Sequence, residues 1–148
     1  LEHPPKKYPK ASSSRKQRIQ WFASGAYTLF LIVVSLLPGG NVPSIPDWFS
    51  LFSPDKVAHF GAYGVFALLL SVTFSEGRIK WVILRSVFIA AGFGVLMEIL
   101  QGISGTGRHF DPVDMVANLL GAVLGGLVYY LFKLLRKKTS ATAADLND

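Results

Sequence analysis

The residues of this chain that are able to do chemistry are few and regularly spaced. Asp55, His59 and Tyr63 follow one another at intervals of four, with Lys56 one position round. Glu98 and Gln101 are three apart, Asp114 and Asn118 are four apart, and Arg108 and His109 lie between these two pairs. Spacings of three and four place side chains on one face of a helix, so each set presents its polar atoms in one direction. Carboxylates beside an imidazole can exchange protons with a substrate: Glu98 or Asp114 as general base, His59 as acid or base. Lys56 and Arg108 can contact a phosphate or carboxylate, Arg108 bidentately, or stabilise developing negative charge. The sequence has no cysteine, which excludes thiol nucleophiles, thiolate metal sites, iron–sulfur clusters and disulfides. Any covalent nucleophile must therefore be an oxygen or nitrogen group. A metal site would draw on His59, Glu98 and Asp114, but there is no compact ligand motif such as H-E-x-x-H, and no metal or other cofactor is expected.

The elements that must position these groups are membrane spans. Hydrophobic residues make up 51% of the 148 and charged residues only 16%, below the roughly 25% of soluble chains, yet the formal net charge is +6. Four apolar stretches run from Trp21 to Leu37, Val57 to Phe74, Trp81 to Leu100 and Val113 to Leu135. Each approaches the ~20 residues that cross a hydrocarbon core, and four of them leave too little polar surface to clothe a soluble core. The expected fold is an all-α integral membrane bundle of four transmembrane helices. Its expected divisions are a basic tail over 1–18, a transmembrane domain over 19–137 and a polar tail over 138–148. A signal peptide is a poor alternative for the first stretch, because Pro38-Gly39-Gly40 does not resemble a small-x-small cleavage site.

The cations set the orientation. Thirteen of the 15 Lys and Arg fall in residues 1–18, 78–85 and 133–148, leaving Lys56 and Arg108 in the other two loops. The positive-inside bias then puts both termini in the cytoplasm and these two loops outside. This distribution also argues against nucleic-acid binding, which calls for a basic stripe on a globular body. The tails are rich in proline, serine and small polar residues and are expected to be unstructured. In the first external loop, Asp47-Trp48-Phe49-Ser50-Leu51-Phe52 reads as a short interfacial helix with Trp48 in the aromatic belt.

All the polar sets then belong to the outer half of the membrane. His59 lies about 8 Å down its helix from Pro54, and Asn118 about 9 Å from Pro112. Such groups are costly in lipid and face a bundle interior or a water-filled cavity. They serve either as a site opening outward or as an internal hydrogen-bond network tying the helices together. Asp111 reads first as a helix cap, Lys56 equally as an interfacial anchor and Tyr63 equally as packing. Gly121, Gly125 and Gly126, with Gly61, Gly64, Gly92 and Gly94, allow close helix approach within the chain; homodimerisation is their other use.

The ordered set Asp55-Lys56-x-x-His59-x-x-x-Tyr63, Glu98-x-x-Gln101 and Arg108-x-Phe110-Asp111-x-x-Asp114-x-x-x-Asn118-x-x-Gly121 resembles the signature of the VanZ-like family of bacterial integral membrane proteins. The resemblance covers roughly residues 20–135. Asp111 stands where the family often has a serine, a change that keeps a helix cap. The resemblance implies the bacterial cell envelope, a link to low-level resistance to the glycopeptide teicoplanin, and a site at these motif positions. It implies no particular reaction.

Two functions compete. The first is a protein that binds an anionic lipid, a lipid-linked cell-wall precursor or a lipoglycopeptide at the outer leaflet. Its site would use Lys56, Arg108, Gln101, Asn118, Asp55 and Tyr63. The second is a membrane enzyme acting on a lipid-linked substrate by hydrolysis or group transfer, with Glu98, Asp114 and His59 as its acid–base set. Gly102-Ile103-Ser104-Gly105 matches the G-x-S-G of rhomboid intramembrane proteases, but four spans replace six and the serine falls in a loop. A proton-coupled transporter lacks polar groups in the inner half to complete a path.

Overall fold

The computed structural model describes residues 11–38, 53–75, 79–105 and 107–145. They form four helices: α1 (Ala11–Leu36), α2 (Pro54–Thr73), α3 (Ile79–Ile103) and α4 (Pro112–Asp145). No strand occurs among the described residues. Each helix contains a window long and apolar enough to cross a membrane. The large apolar side chains left exposed, among them Phe22, Leu29, Phe88, Leu120 and Leu135, are distributed over all four helices. Such exposure is what a lipid-facing surface requires, because no polar coat covers it.

α2 begins with Ser53 at the N-cap and Pro54 at the first helical position, although the Ser53 side chain makes no capping bond. Proline is suited to that position because its missing N–H would have no intrahelical partner. α4 begins on Asp111, whose Oδ1 accepts the Val113 amide at 2.8 Å. The connection from α3 to α4 is short. Gly105 and Gly107 adopt φ of 65° and 75°, the left-handed conformation that side chains with a Cβ seldom take.

α2 and α4 form the most extensive pair, α3 packs on both, and α1 lies against α2 and α3. Glycine permits the α2–α4 approach. A Cβ on Gly121 would collide with the Phe60 carbonyl, and one on Gly125 with the Gly64 carbonyl. Gly126 admits Ile83 and Val87 of α3, and Gly94 admits Tyr63 and Asn118. Gly61 and Gly92, by contrast, have open space beside them, so they do not serve packing within the chain. The core, shared by all four helices, contains Leu31, Tyr63, Phe66, Ala67, Leu70, Ala90 and Ala122, with Phe66 and Phe93 edge to face at 5.5 Å.

The expectation of unstructured tails is corrected for the described parts. α1 takes in residues 11–18, and α4 continues through Thr139 to Asp145. Neither stretch contains glycine or proline. Propagating an existing helix adds one hydrogen bond per residue fixed, so a polar tail without breakers extends it at little cost. The Trp48 segment and Arg78 lie outside the described residues.

Candidate functional site

The starts of α2 and α4 and the end of α3 meet at one end of the bundle, the end that the cation distribution assigns to the outside. Every polar set singled out in the sequence converges there. Lys56 Nζ bridges Asp111 Oδ2 at 3.0 Å and Asp114 Oδ1 at 3.2 Å, joining α2 to the first turn of α4. Asp111 is both a cap and an ion-pair partner. The Val113 amide and then the Lys56 ammonium hold its carboxyl below the usual carboxylate range. Its backbone amide also donates to Glu98 Oε2 at 3.3 Å, so Asp111 connects all three segments.

His59 occupies the middle. Its Nδ1 lies 3.1 Å from Asn118 Oδ1. An amide oxygen only accepts, so Nδ1 carries the proton. Glu98 Oε1 lies 3.8 Å from the same nitrogen. On the other side of the ring, Nε2 faces Asp55 Oδ1 at 3.9 Å and Asp114 Oδ2 at 3.8 Å, distances that favour a charged or metal-linked contact over a direct hydrogen bond. Asp55, His59 and Asp114 each offer one ligand atom within 4.8 Å of the others. The sequence-based metal set named Glu98 in place of Asp55; Glu98 instead approaches the opposite face of the imidazole.

Burial follows function-like lines. Glu98 is 1% exposed and Asn118 likewise 1%, while Asp55 keeps half its side chain in the open. Among the described residues, Tyr63 Oη, Glu98 Oε1 and Asn118 Nδ2 are buried atoms with no hydrogen-bond partner. Buried polar groups normally are paired, and three neighbouring exceptions point to a site whose bonding is completed by something else. Tyr63 lies under His59 with the two rings nearly parallel, 8° apart, at 6.5 Å between centroids.

Gln101 and Arg108 reach α1, a helix to which the sequence reading gave no part in the site. Gln101 Nε2 donates to the Ser35 carbonyl at 2.9 Å, and Arg108 Nη1 to the Val34 carbonyl at 3.4 Å. Arg108 Nη2 lies 3.6 Å from Asp55 Oδ1. Between α1, α2 and the end of α3 there is a pocket of about 150 Å³, lined by Leu31, Val34, Ala58 and Ala62 with Asp55, His59 and Arg108 at its polar side. No signal in the sequence marked Leu31 or Val34, because apolar residues in a span look alike whether they face lipid or a pocket. Ser104 of the rhomboid-like tetrapeptide donates its hydroxyl to the Gln101 carbonyl at 3.0 Å, so it closes the last turn of α3. His109 is exposed and takes no part in the described contacts of the cluster.

Neither the curated proteins nor the solved structures contain a match to this chain. A family model described as VanZ/LLP1 matches residues 6–133, which includes the first three spans, most of the fourth and every residue of the polar cluster. With four helices that are able to span a bilayer and a family match over most of its length, the chain is a multi-pass membrane protein belonging to the VanZ/LLP1 family.

Proposed function

We propose that this protein holds the polar head of a lipid-linked cell-envelope substrate in the pocket between α1 and α2, at the outer leaflet of the bacterial cytoplasmic membrane. The observation that carries the reading is the makeup of that pocket, in which Asp55, His59 and Arg108 face Leu31, Val34, Ala58 and Ala62. Its 150 Å³ is below the ~300 Å³ at which small-molecule pockets begin, so it suits a headgroup whose chain remains in the surrounding lipid. Arg108, already against the Val34 carbonyl, is the cation placed to meet a phosphate or carboxylate. Lys56 keeps both its described bonds on Asp111 and Asp114 and maintains the site's shape instead. A site that retains lipid-linked wall precursors or a lipoglycopeptide tail would account for the teicoplanin link that the resemblance implies. Both termini are cytoplasmic in this reading, which rests on the Lys and Arg distribution.

One observation favours a second reading, in which the head is also chemically altered. His59, which lines the pocket, has Nδ1 fixed by Asn118 and Nε2 turned to Asp55 and Asp114, the posture of an acid–base or ligand imidazole. Incubating the purified chain with polyprenyl phosphates and a polyprenyl-linked glycan, followed by native mass spectrometry and product analysis, tests both. A retained lipid that is lost in Arg108→Ala supports binding. A product formed by the wild type and not by His59→Asn, with lipid still bound, supports turnover. Failure of any added lipid to bind in the wild type overturns the proposal.

A further inference from the structure

We propose that Asp55, His59 and Asp114 bind a divalent transition-metal ion, with zinc the ion whose ligand preferences they fit. Mixed imidazole and carboxylate ligands suit zinc, and three protein ligands leave the open position typical of a functional site. The ligand atoms are already gathered: Nε2 of His59 is 3.9 Å from Asp55 Oδ1 and 3.8 Å from Asp114 Oδ2. Tetrahedral zinc with bonds of about 2.0–2.2 Å holds neighbouring ligands about 3.4 Å apart. Contraction by about half an ångström at the imidazole, and by up to about 1.4 Å between the two carboxylate oxygens, would close the site.

The imidazole is prepared for it. With the proton on Nδ1 held by Asn118 Oδ1, the lone pair of neutral His59 is on Nε2 and aims between two carboxylates. Facing two anionic oxygens, that nitrogen calls for positive charge between them, which a metal ion supplies in place of a second ring proton. Asp114 commits Oδ1 to Lys56 and leaves Oδ2 for the ion. Behind the ring, Glu98 is 1% exposed, and its Oε1 has no hydrogen-bond partner and lies 3.8 Å from Nδ1. The bond from Nδ1 to Asn118 Oδ1 is the kind of outer-shell contact that orients a metal-bound imidazole.

Charge points the same way. Around the proposed ion the three carboxylates Asp55, Asp111 and Asp114 outnumber the two cations Lys56 and Arg108. An excess of acid beside the pocket disfavours an anionic headgroup. One divalent ion cancels that excess and offers a phosphate or carboxylate oxygen a ligand position. For this consequence, though not for the binding of the ion, the inference rests on the proposed lipid-linked substrate.

The test uses the full chain, purified in detergent, stripped with chelator and titrated with Zn²⁺ in the absence of lipid. One zinc per chain is expected, with X-ray absorption giving one nitrogen and only oxygen neighbours at about 2.0–2.2 Å. Asp114→Asn and His59→Asn should weaken binding at least a hundredfold, and Asn118→Ala ten- to a hundredfold as an outer-shell change. X-ray absorption on the wild type answers the question even where a variant fails to fold. No stoichiometric zinc in the wild type, or affinity unchanged in a His59→Asn chain that remains monodisperse, overturns the proposal. Adding a polyprenyl phosphate afterwards separates the two claims. Zinc without lipid binding leaves the metal site standing and removes the substrate; lipid bound equally with and without zinc removes the metal's link to it.

Discussion

Replacing Lys56 by methionine should be the most damaging single change at the polar end that leaves the helices' apolar packing intact. Methionine keeps much of the side chain's length and loses the ammonium that bridges Asp111 and Asp114 at 3.0 and 3.2 Å. The two carboxylates will not suffer equally. Asp111 is 39% exposed at its side chain, where water and salt can replace the lost partner, so its share is about 0.2–1 kcal/mol. Asp114 is 8% exposed, and stripping one partner from a buried pair costs roughly 3–5 kcal/mol because the remaining charge is uncompensated. His59, 3.8 Å from Asp114 Oδ2, can take up a proton and offset part of this, so the expected loss is about 3 kcal/mol. Adding Asp114→Asn to Lys56→Met removes the stranded charge and should recover about half of it. Equilibrium unfolding in mixed micelles titrated with a denaturing detergent, on chelator-treated protein, measures all three variants. A Lys56→Met chain within about 0.5 kcal/mol of wild type would refute the reasoning, since that is the scale of a neutral surface change. Additivity of the two substitutions would refute it too.

Other outcomes follow from the same geometry. Asp111→Ala should cost about 1 kcal/mol by removing the α4 cap, whereas Asp111→Ser, which keeps an oxygen for the Val113 amide, should retain most of that stability in thermal unfolding. Because the folded Asp111 carboxyl titrates below its unfolded value of about 3.9, its contribution is complete above that pH and is lost as the pH falls through the lower, folded value. The acid limb of a stability–pH curve should therefore flatten below about pH 4 in Asp111→Asn, which has no proton to gain. Gly121→Ala must push α2 from α4 against the Phe60 carbonyl and should cost about 1–3 kcal/mol or more. Gly61→Ala meets open space and should be neutral or stabilising by up to about 1 kcal/mol, read by the same unfolding assay. Gln101→Ala should loosen α1 by about 1 kcal/mol, but Ser35→Ala should not, since the bond is to the Ser35 carbonyl.

The sequence made the four spans and the polar faces legible because both depend on local periodicity. Asp55, His59 and Tyr63 at intervals of four, and Asp114 with Asn118, fall on the faces that meet. What it left open were choices among partners at long range. Lys56 could serve a ligand, an interface or an acid, and only the register of α2 against α4 settles it on Asp111 and Asp114. Glu98 and Asp55 exchange places relative to the reading of a metal set, because the side of the imidazole each approaches depends on how α3 is rotated. The contribution of α1 was invisible: it offers the site two backbone carbonyls and a few aliphatic side chains, none distinguishable by residue type. Glycines told half the story, with Gly64, Gly121 and Gly125 packed and Gly61 and Gly92 open.

The account stands or falls on whether an amphiphile's head enters the pocket between α1 and α2. A polyprenyl phosphate carrying a photoreactive group beside its phosphate, irradiated with the full chain in lipid nanodiscs and mapped by peptide mass spectrometry, asks this directly. The account predicts label concentrated on Leu31–Ser35 and Ala58–Ala62 and reduced by excess unlabelled polyprenyl phosphate and by Arg108→Ala. Label spread without competition over the exposed α3 and α4 surface, at Leu84, Phe88, Val123 and Leu127, would contradict it.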